Sequence, residues 1–324
     1  MNEDQFPGEE LLSSAGKGDA DALAQLDSMG FLMKPRENAE SYVGRIRAMH
    51  ARFLEFLEKT SDGKSYEIYD GIVLSQKERI PDEIIEEAAR TTEALYGFSV
   101  QWVPGYFVSR GLGWLWGGCA LSDEEPDTVP VFIIRKRFET ARKWFVYTRD
   151  ELLSHELCHA ARAPLHDRAL EEHFAYAGSN SRLRRYMGNC FQTDRDAVFF
   201  LLPVLLLLLV QILIYVCLVP LPAWPFWILA FVWPGYLLFR NARQRRWYFT
   251  AERNVRACGF ANPGAFLFRC TSPEIESISK MEAGELARFI EETALREPRM
   301  QTMVKRFRKG VEEHADDQRS DRGS

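Results

Sequence analysis

The chain has 324 residues, 46% hydrophobic and 27% charged, with a formal net charge of -5. That is a globular composition, and it gives no reason to expect nucleic acid as a partner, because no Arg/Lys stripe interleaved with aromatics lies outside the flanks of one apolar run. The six cysteines (Cys119, Cys158, Cys190, Cys217, Cys258, Cys270) contain no CxxC pair, so they form no disulfide framework and suit a reducing compartment.

The acidic N-terminus lacks the apolar stretch of a secretory signal. Residues 1–36 read as a flexible N-terminal arm with a short helix around Asp19 to Leu32. Val43, Ile46, Met49, Phe53 and Phe56 recur at helical spacing and predict a helix over 39–59. Another is expected from Pro81, a good first-turn residue, to Tyr96. Three stretches rich in aromatic and β-branched residues follow, at 98–108, 114–121 and 129–138. They predict three antiparallel strands.

The next stretch, 148–176, holds the chemistry. It contains His155-Glu156-Leu157-Cys158-His159, an HExxH. On a helix the two histidines lie four apart on one face, and Glu156 shares that face. Two neutral imidazoles then hold Zn²⁺ while the carboxylate reaches a water beside it. Thr148 and Glu151 predict a capping box, and Pro164 ends the helix. Cys158 lies about 100° round the helix from His159 and is expected in the core. A zinc site needs a third ligand, and a second short helix, capped by Asp167 and running to about Gly178, carries Glu171 and Glu172.

The run Glu171-Glu172-His173-Phe174-Ala175-Tyr176 resembles the glutamate-bearing helix that follows the HExxH helix in gluzincin metallopeptidases. The resemblance covers roughly thirty residues. It implies His155, His159 and Glu172 as zinc ligands, with Glu171 as the fallback, and Glu156 as general base. It also implies a small sheet before the HExxH helix whose edge strand receives an extended peptide, and 129–137 is the candidate edge. Glu171 is a candidate for orienting a histidine, while His166, His173 and Tyr176 are unranked candidates for a second oxyanion donor.

An uncharged run, 197–239, is about right for two membrane spans broken at Pro220-Leu221-Pro222. The second arm, 224–239, is short and contains Pro225, Pro234 and Gly235, so a re-entrant form stays open. Arginines flank both outer ends (Arg182, Arg184, Arg185 and Arg195; Arg240, Arg243, Arg245 and Arg246), so the positive-inside rule places both termini and the site in the cytoplasm. Residues 240–258 read as helix, with further helices at 277–296 and 300–313. The order of HExxH, hairpin and cytosolic helix resembles the HtpX-like membrane peptidases. That resemblance places a third ligand at Tyr248, a poor substitute, with Glu252 as an outside candidate.

The expected architecture is α+β: a zincin-like domain over 37–196, a small antiparallel sheet packed on the HExxH and Glu-bearing helices, a transmembrane hairpin over 197–239, a cytosolic helical region over 240–310 and a disordered tail over 311–324. The expected function is a membrane-anchored zinc metallopeptidase acting on a polypeptide substrate at the cytoplasmic face of a lipid bilayer. The alternative is a non-catalytic zinc-binding membrane scaffold or sensor of the same fold.

Overall fold

The computed structural model describes residues 5–61, 64–69, 71–109, 117–121 and 130–308. Helices α1 (Glu9–Gly16) and α2 (Ala20–Ser28) precede α3 (Ala39–Lys59), whose bounds match its apolar periodicity. Asp19 caps α2, its carboxylate accepting from the Ala22 N–H at 2.8 Å. The expectation of a flexible arm over 1–36 is corrected. Phe6, Leu12, Leu23, Leu26, Phe31 and Leu32 are buried in the main core. Charge ties the segment down as well: buried Asp27 pairs with Arg269 at 2.8 Å and also with Arg306. These partners lie 242 and 279 positions along the chain, beyond the reach of any local pattern.

A hairpin of β1 (Tyr66–Tyr69) and β2 (Ile72–Leu74) leads to α4 (Asp82–Tyr96), which starts after Pro81 and stops at Gly97 with φ +69°. Then come β3 (Gly105–Val108), β4 (Gly118–Leu121) and β5 (Val131–Arg135), ordered β3-β5-β4. The sheet is mixed, a correction to the antiparallel expectation: β3 runs parallel to β5, and β4 antiparallel to it.

The expectation of 129–137 as the edge is also corrected, because β5 is central. Its Phe132 and Ile134 enter the main core, while Val131 and Ile133 pack with Ile72, Leu74, Tyr106 and Val108 in a second, smaller core. A strand covered on both faces carries a continuous apolar run rather than an alternating one. On the HExxH side the edge is β4.

The chain continues through α5 (Arg137–Thr140) and a short hairpin, β6 (Lys143–Trp144) and β7 (Tyr147–Thr148), into α6 (Arg149–Arg162). Packed against α6 are β4, α4 and α7 (Glu171–Ala175). Next come α8 (Arg182–Met187), α9 (Asp194–Tyr215) and α10 (Trp224–Ala257). Helix α9 is long and apolar enough to cross a membrane. Its start is set by a capping box between Thr193 and Asp196.

The second apolar segment runs on into the helix that follows it. It forms the first half of α10, one helix of 34 residues that spans about 51 Å. Beyond it, α11 (Pro263–Phe268), α12 (Ser272–Lys280), α13 (Ala283–Ala294) and α14 (Pro298–Phe307) join the main core through Phe266, Phe268, Ile275, Leu286 and Met303. The region 240–310 is therefore not a domain apart, and the expected tail, 311–324, lies outside the described residues. Apolar faces of the C-terminal helices find their cover on α2, α4 and α10, which is why neither end of the chain stands alone.

Candidate metal centre

Helix α6 carries His155, Glu156 and His159 as its sequence predicts. Thr148 precedes it, but the expected capping box does not form. The Thr148 hydroxyl instead lies 3.5 Å from the Glu151 carboxylate, with no cap bond to the backbone. Leu152, Leu153, Leu157, Cys158 and Ala161 are buried and fix the helix against the core. Asp167 does not cap the second helix either. Its carboxylate binds Arg162 at 3.0 Å and accepts from the Ser272 N–H at 2.9 Å and hydroxyl at 2.7 Å. Helix α7 accordingly starts later, at Glu171.

That start sends the two glutamates to different sides of the histidines. The Nε2 atoms of His155 and His159 lie 3.1 Å apart. Glu172 approaches both, Oε2 at 3.5 Å from His155 Nε2 and Oε1 at 3.4 Å from His159 Nε2. A tetrahedral ion with bonds of about 2.0–2.1 Å holds its ligand atoms about 3.3–3.4 Å apart. The two Nε2 atoms come close to that spacing and Glu172 offers each of them a carboxylate oxygen, so the three side chains form a triangle able to close on a small divalent cation of that kind. Among the described residues, these three form the only His/Cys/Asp/Glu group with that spacing.

Glu171 turns the other way. Its Oε1 lies 3.1 Å from His159 Nδ1, and its Oε2 accepts from Arg162 Nε at 2.7 Å. It touches the ring nitrogen that faces away from the triangle, so it orients the imidazole and is not placed to ligate. The His155 ring is held by a hydrogen bond to the backbone of Ala175. Arg162, fully buried, also donates to the carbonyls of Phe268 and Cys270 and lies over the Phe174 ring, locking α6 and α7 onto α11.

Electrostatics suit a cation. Burial and the neighbouring His159 push His155 down to about 4, so it is a neutral donor at ordinary pH. Burial also works against a charged His159, but the hydrogen bonds it donates to Glu171 and Glu172 and the charge of Glu156 hold it well above the usual range. Burial opposes ionisation of both glutamates. Arg162 and His159 nevertheless keep Glu171 low, and His159 with His155 keeps Glu172 low. Glu172 and Glu171 are thus held ionised beside the imidazoles, and a cation bound between His155, His159 and Glu172 would take the place of the His159 proton.

A cavity of about 210 Å³ opens on this cluster, lined by His155, Glu156 and Glu172 with Gly117, Gly118, Tyr147, Tyr176 and Arg184. Of the three oxyanion candidates, the structure brings in Tyr176 alone. Its ring meets the His155 ring edge-on at 4.4 Å, and burial together with Glu172 pushes its hydroxyl far up, so it keeps its proton. A Cβ added to Gly188 would lie 2.1 Å from that ring, so the glycine is what lets Tyr176 sit there.

His166 is exposed with φ +48° at the end of a 3₁₀ turn. His173 packs between Tyr248 and Phe174 beside Arg245, and burial with that arginine's charge pushes it down to about 3. Tyr248 lies against these rings rather than at the triangle, and Glu252 pairs with Arg256 at 2.7 Å. The two positions drawn from the HtpX-like pattern are therefore not part of this cluster.

Tyr147 and Arg184 are new to the site. The guanidinium stacks over the Tyr147 ring at 5.4 Å and binds Glu151 at 3.0 Å. In the sequence Arg184 is one of a basic run, and only packing separates it from its neighbours. Comparison with protein-family models, with curated proteins and with solved structures found no match to this chain.

Proposed function

We propose that the protein is a membrane-anchored zinc metallopeptidase, with His155, His159 and Glu172 as ligands and Glu156 as general base. The observation that carries this reading is the grouping of His155, His159 and Glu172, the two Nε2 atoms 3.1 Å apart with one Glu172 oxygen 3.5 Å from the first and the other 3.4 Å from the second, and Glu156 lining the same cavity. When bound, zinc supplies Lewis-acid chemistry, polarising a carbonyl and making a water acidic enough to attack near neutral pH. Glu156 takes the proton of the attacking water and gives it to the leaving amine. Tyr176, protonated and packed against His155, is the donor to the oxyanion, with Tyr147 and Arg184 as neighbours that position the substrate. The residue a purely structural zinc site does not need is Glu156, which favours hydrolysis over a passive brace.

In this reading α9 and the first half of α10 cross the bilayer as a hairpin. Val198, Leu201, Leu205 and Leu209 on α9, and Trp227, Ile228, Phe231 and Val232 on α10, turn outward, exposed among the described residues. Asp196 and Arg240 pair at 2.7 Å at its base, where Trp233 donates to the Asp196 carbonyl at 3.1 Å. Arginines on both outer flanks favour a cytoplasmic site.

The test is metal content and hydrolysis of an unfolded polypeptide by the detergent-purified chain. Expected are about one zinc per wild-type chain, its loss in Glu172→Ala, and cleavage abolished in Glu156→Gln with zinc retained. Wild type that binds no zinc under non-chelating conditions, or Glu156→Gln that still cleaves, refutes the reading. The scaffold reading is left standing if zinc binds and nothing is cleaved.

A further inference from the structure

The short helix α8 and the turn after it are too apolar on the outside for a surface meant for water. Leu183 is 70% exposed, and Tyr186, Met187 and Phe191 are exposed beside it. Phe191 joins this patch to α9, its ring meeting that of Phe200 edge-on at 5.6 Å, and the outward apolar face of α9 begins at Val198. Arginines accompany them: Arg182, Arg185 and Arg195 on the same stretch are exposed, and Arg245 of α10 lies over the Tyr186 ring at 5.1 Å. Exposed Asp194 lies nearby, whereas Asp196 is buried against Arg240.

Depth follows from hydrogen bonds to α10. Asn241 donates to the Tyr186 carbonyl at 2.7 Å and Arg240 to the Cys190 carbonyl at 2.8 Å. Asn241 is two residues past Phe239, where the apolar half of α10 ends, a rise of about 3 Å. The headgroup layer on each side of a bilayer is about 5–7 Å thick. If α10 crosses the membrane, α8 lies within that layer, with apolar side chains toward the acyl boundary and guanidinium groups among the phosphates.

We propose that α8 and the turn to Phe191 dock on an anionic bilayer surface, which holds the mouth of the cavity at headgroup level. This rests on the hairpin reading above. Arg184, one residue from Leu183, lines the cavity, and Gly188 of the same turn supports Tyr176. The docked surface and the candidate catalytic wall are thus one piece of chain. A polypeptide segment leaving the membrane would meet the cavity directly.

The experiment places photoreactive benzoylphenylalanine at one position of the full chain, reconstituted in vesicles of equal phosphatidylcholine and phosphatidylglycerol, with adducts read by mass spectrometry. Leu205, exposed on α9, reports the span, and Arg256, 17 positions past Phe239 and about 25 Å along α10, reports the soluble side. Expected are lipid adducts at 205 and 183, none at 256, and phosphatidylglycerol predominating at 183. No adduct at 205 removes the hairpin reading and this proposal with it. Adducts at 205 but none at 183, or cross-links from 183 to a second copy of the chain, overturn the docking while the hairpin stands. Equal yields of the two lipids at 183 overturn the recognition of anionic headgroups.

Discussion

Glu171→Gln tests whether Glu171 orients the proposed centre while Glu172 holds it. Glu171 spends one oxygen on His159 Nδ1 at 3.1 Å and the other on Arg162 Nε at 2.7 Å. A glutamine keeps one acceptor, so it serves the imidazole or the guanidinium but not both, and the negative charge is gone. Arg162 retains Asp167 at 3.0 Å and two backbone carbonyls, so the buried charge is not abandoned. The stability cost is then that of one charge-assisted hydrogen bond, about 1.5–3 kcal/mol, rather than that of an orphaned buried ion. Losing the partner that fixes a histidine ligand weakens metal binding by about 10- to 100-fold. Zinc affinity by competition with a chromophoric chelator reads the effect, and thermal unfolding of the same samples reads stability. Affinity within about twofold of wild type would show that the His159–Glu171 bond does not tune the centre, since about tenfold is the least such a partner contributes. Zinc lost as completely as in Glu172→Ala would make Glu171 a ligand and reverse the assignment.

Three further outcomes are expected. Gly188→Ala puts a methyl where the Tyr176 ring stands. Turnover should fall by up to about 100-fold while zinc content is unchanged, and an unchanged rate would remove Tyr176 from the mechanism. Phe268, fully buried against Tyr96, Phe98 and Phe174, should cost about 3–5 kcal/mol as Phe268→Ala in denaturant unfolding. A loss below about 1 kcal/mol would contradict its place in the core. Burial pushes Glu274 up, but the Arg299 guanidinium and the Thr271 cap hold its carboxyl below its ordinary value. A depressed folded value means the stabilisation is present above the ordinary carboxylate range and lost as pH falls through it toward the folded value. Glu274→Gln should flatten that acid limb, and an unaltered limb would assign it to other groups.

Much of the centre is legible in sequence because it is local. An HExxH on an apolar-sided helix fixes its own geometry, since 3.6 residues per turn put positions 155 and 159 on one face whatever surrounds them. Glu172 follows within a short loop and a short helix. The apolar run and its arginine flanks are equally local, as is the continuous apolar stretch of β5, which in retrospect marks a strand covered on both sides.

Tertiary structure decided the rest, because the deciding partners are far along the chain. Glu171 and Glu172 differ by about 100° of helix, and only the docking of α7 on α6, pinned by Arg162 and Asp167 to residues beyond 267, determines which one faces the Nε2 atoms. What covers the second face of β5, Ile72 and Leu74 of β2, was likewise decided by packing. Burial of residues 6–33 depended on Arg269, Arg306 and the C-terminal helices. Composition describes what a segment is able to bury, whereas where it is buried depends on which surfaces the remainder of the chain leaves uncovered.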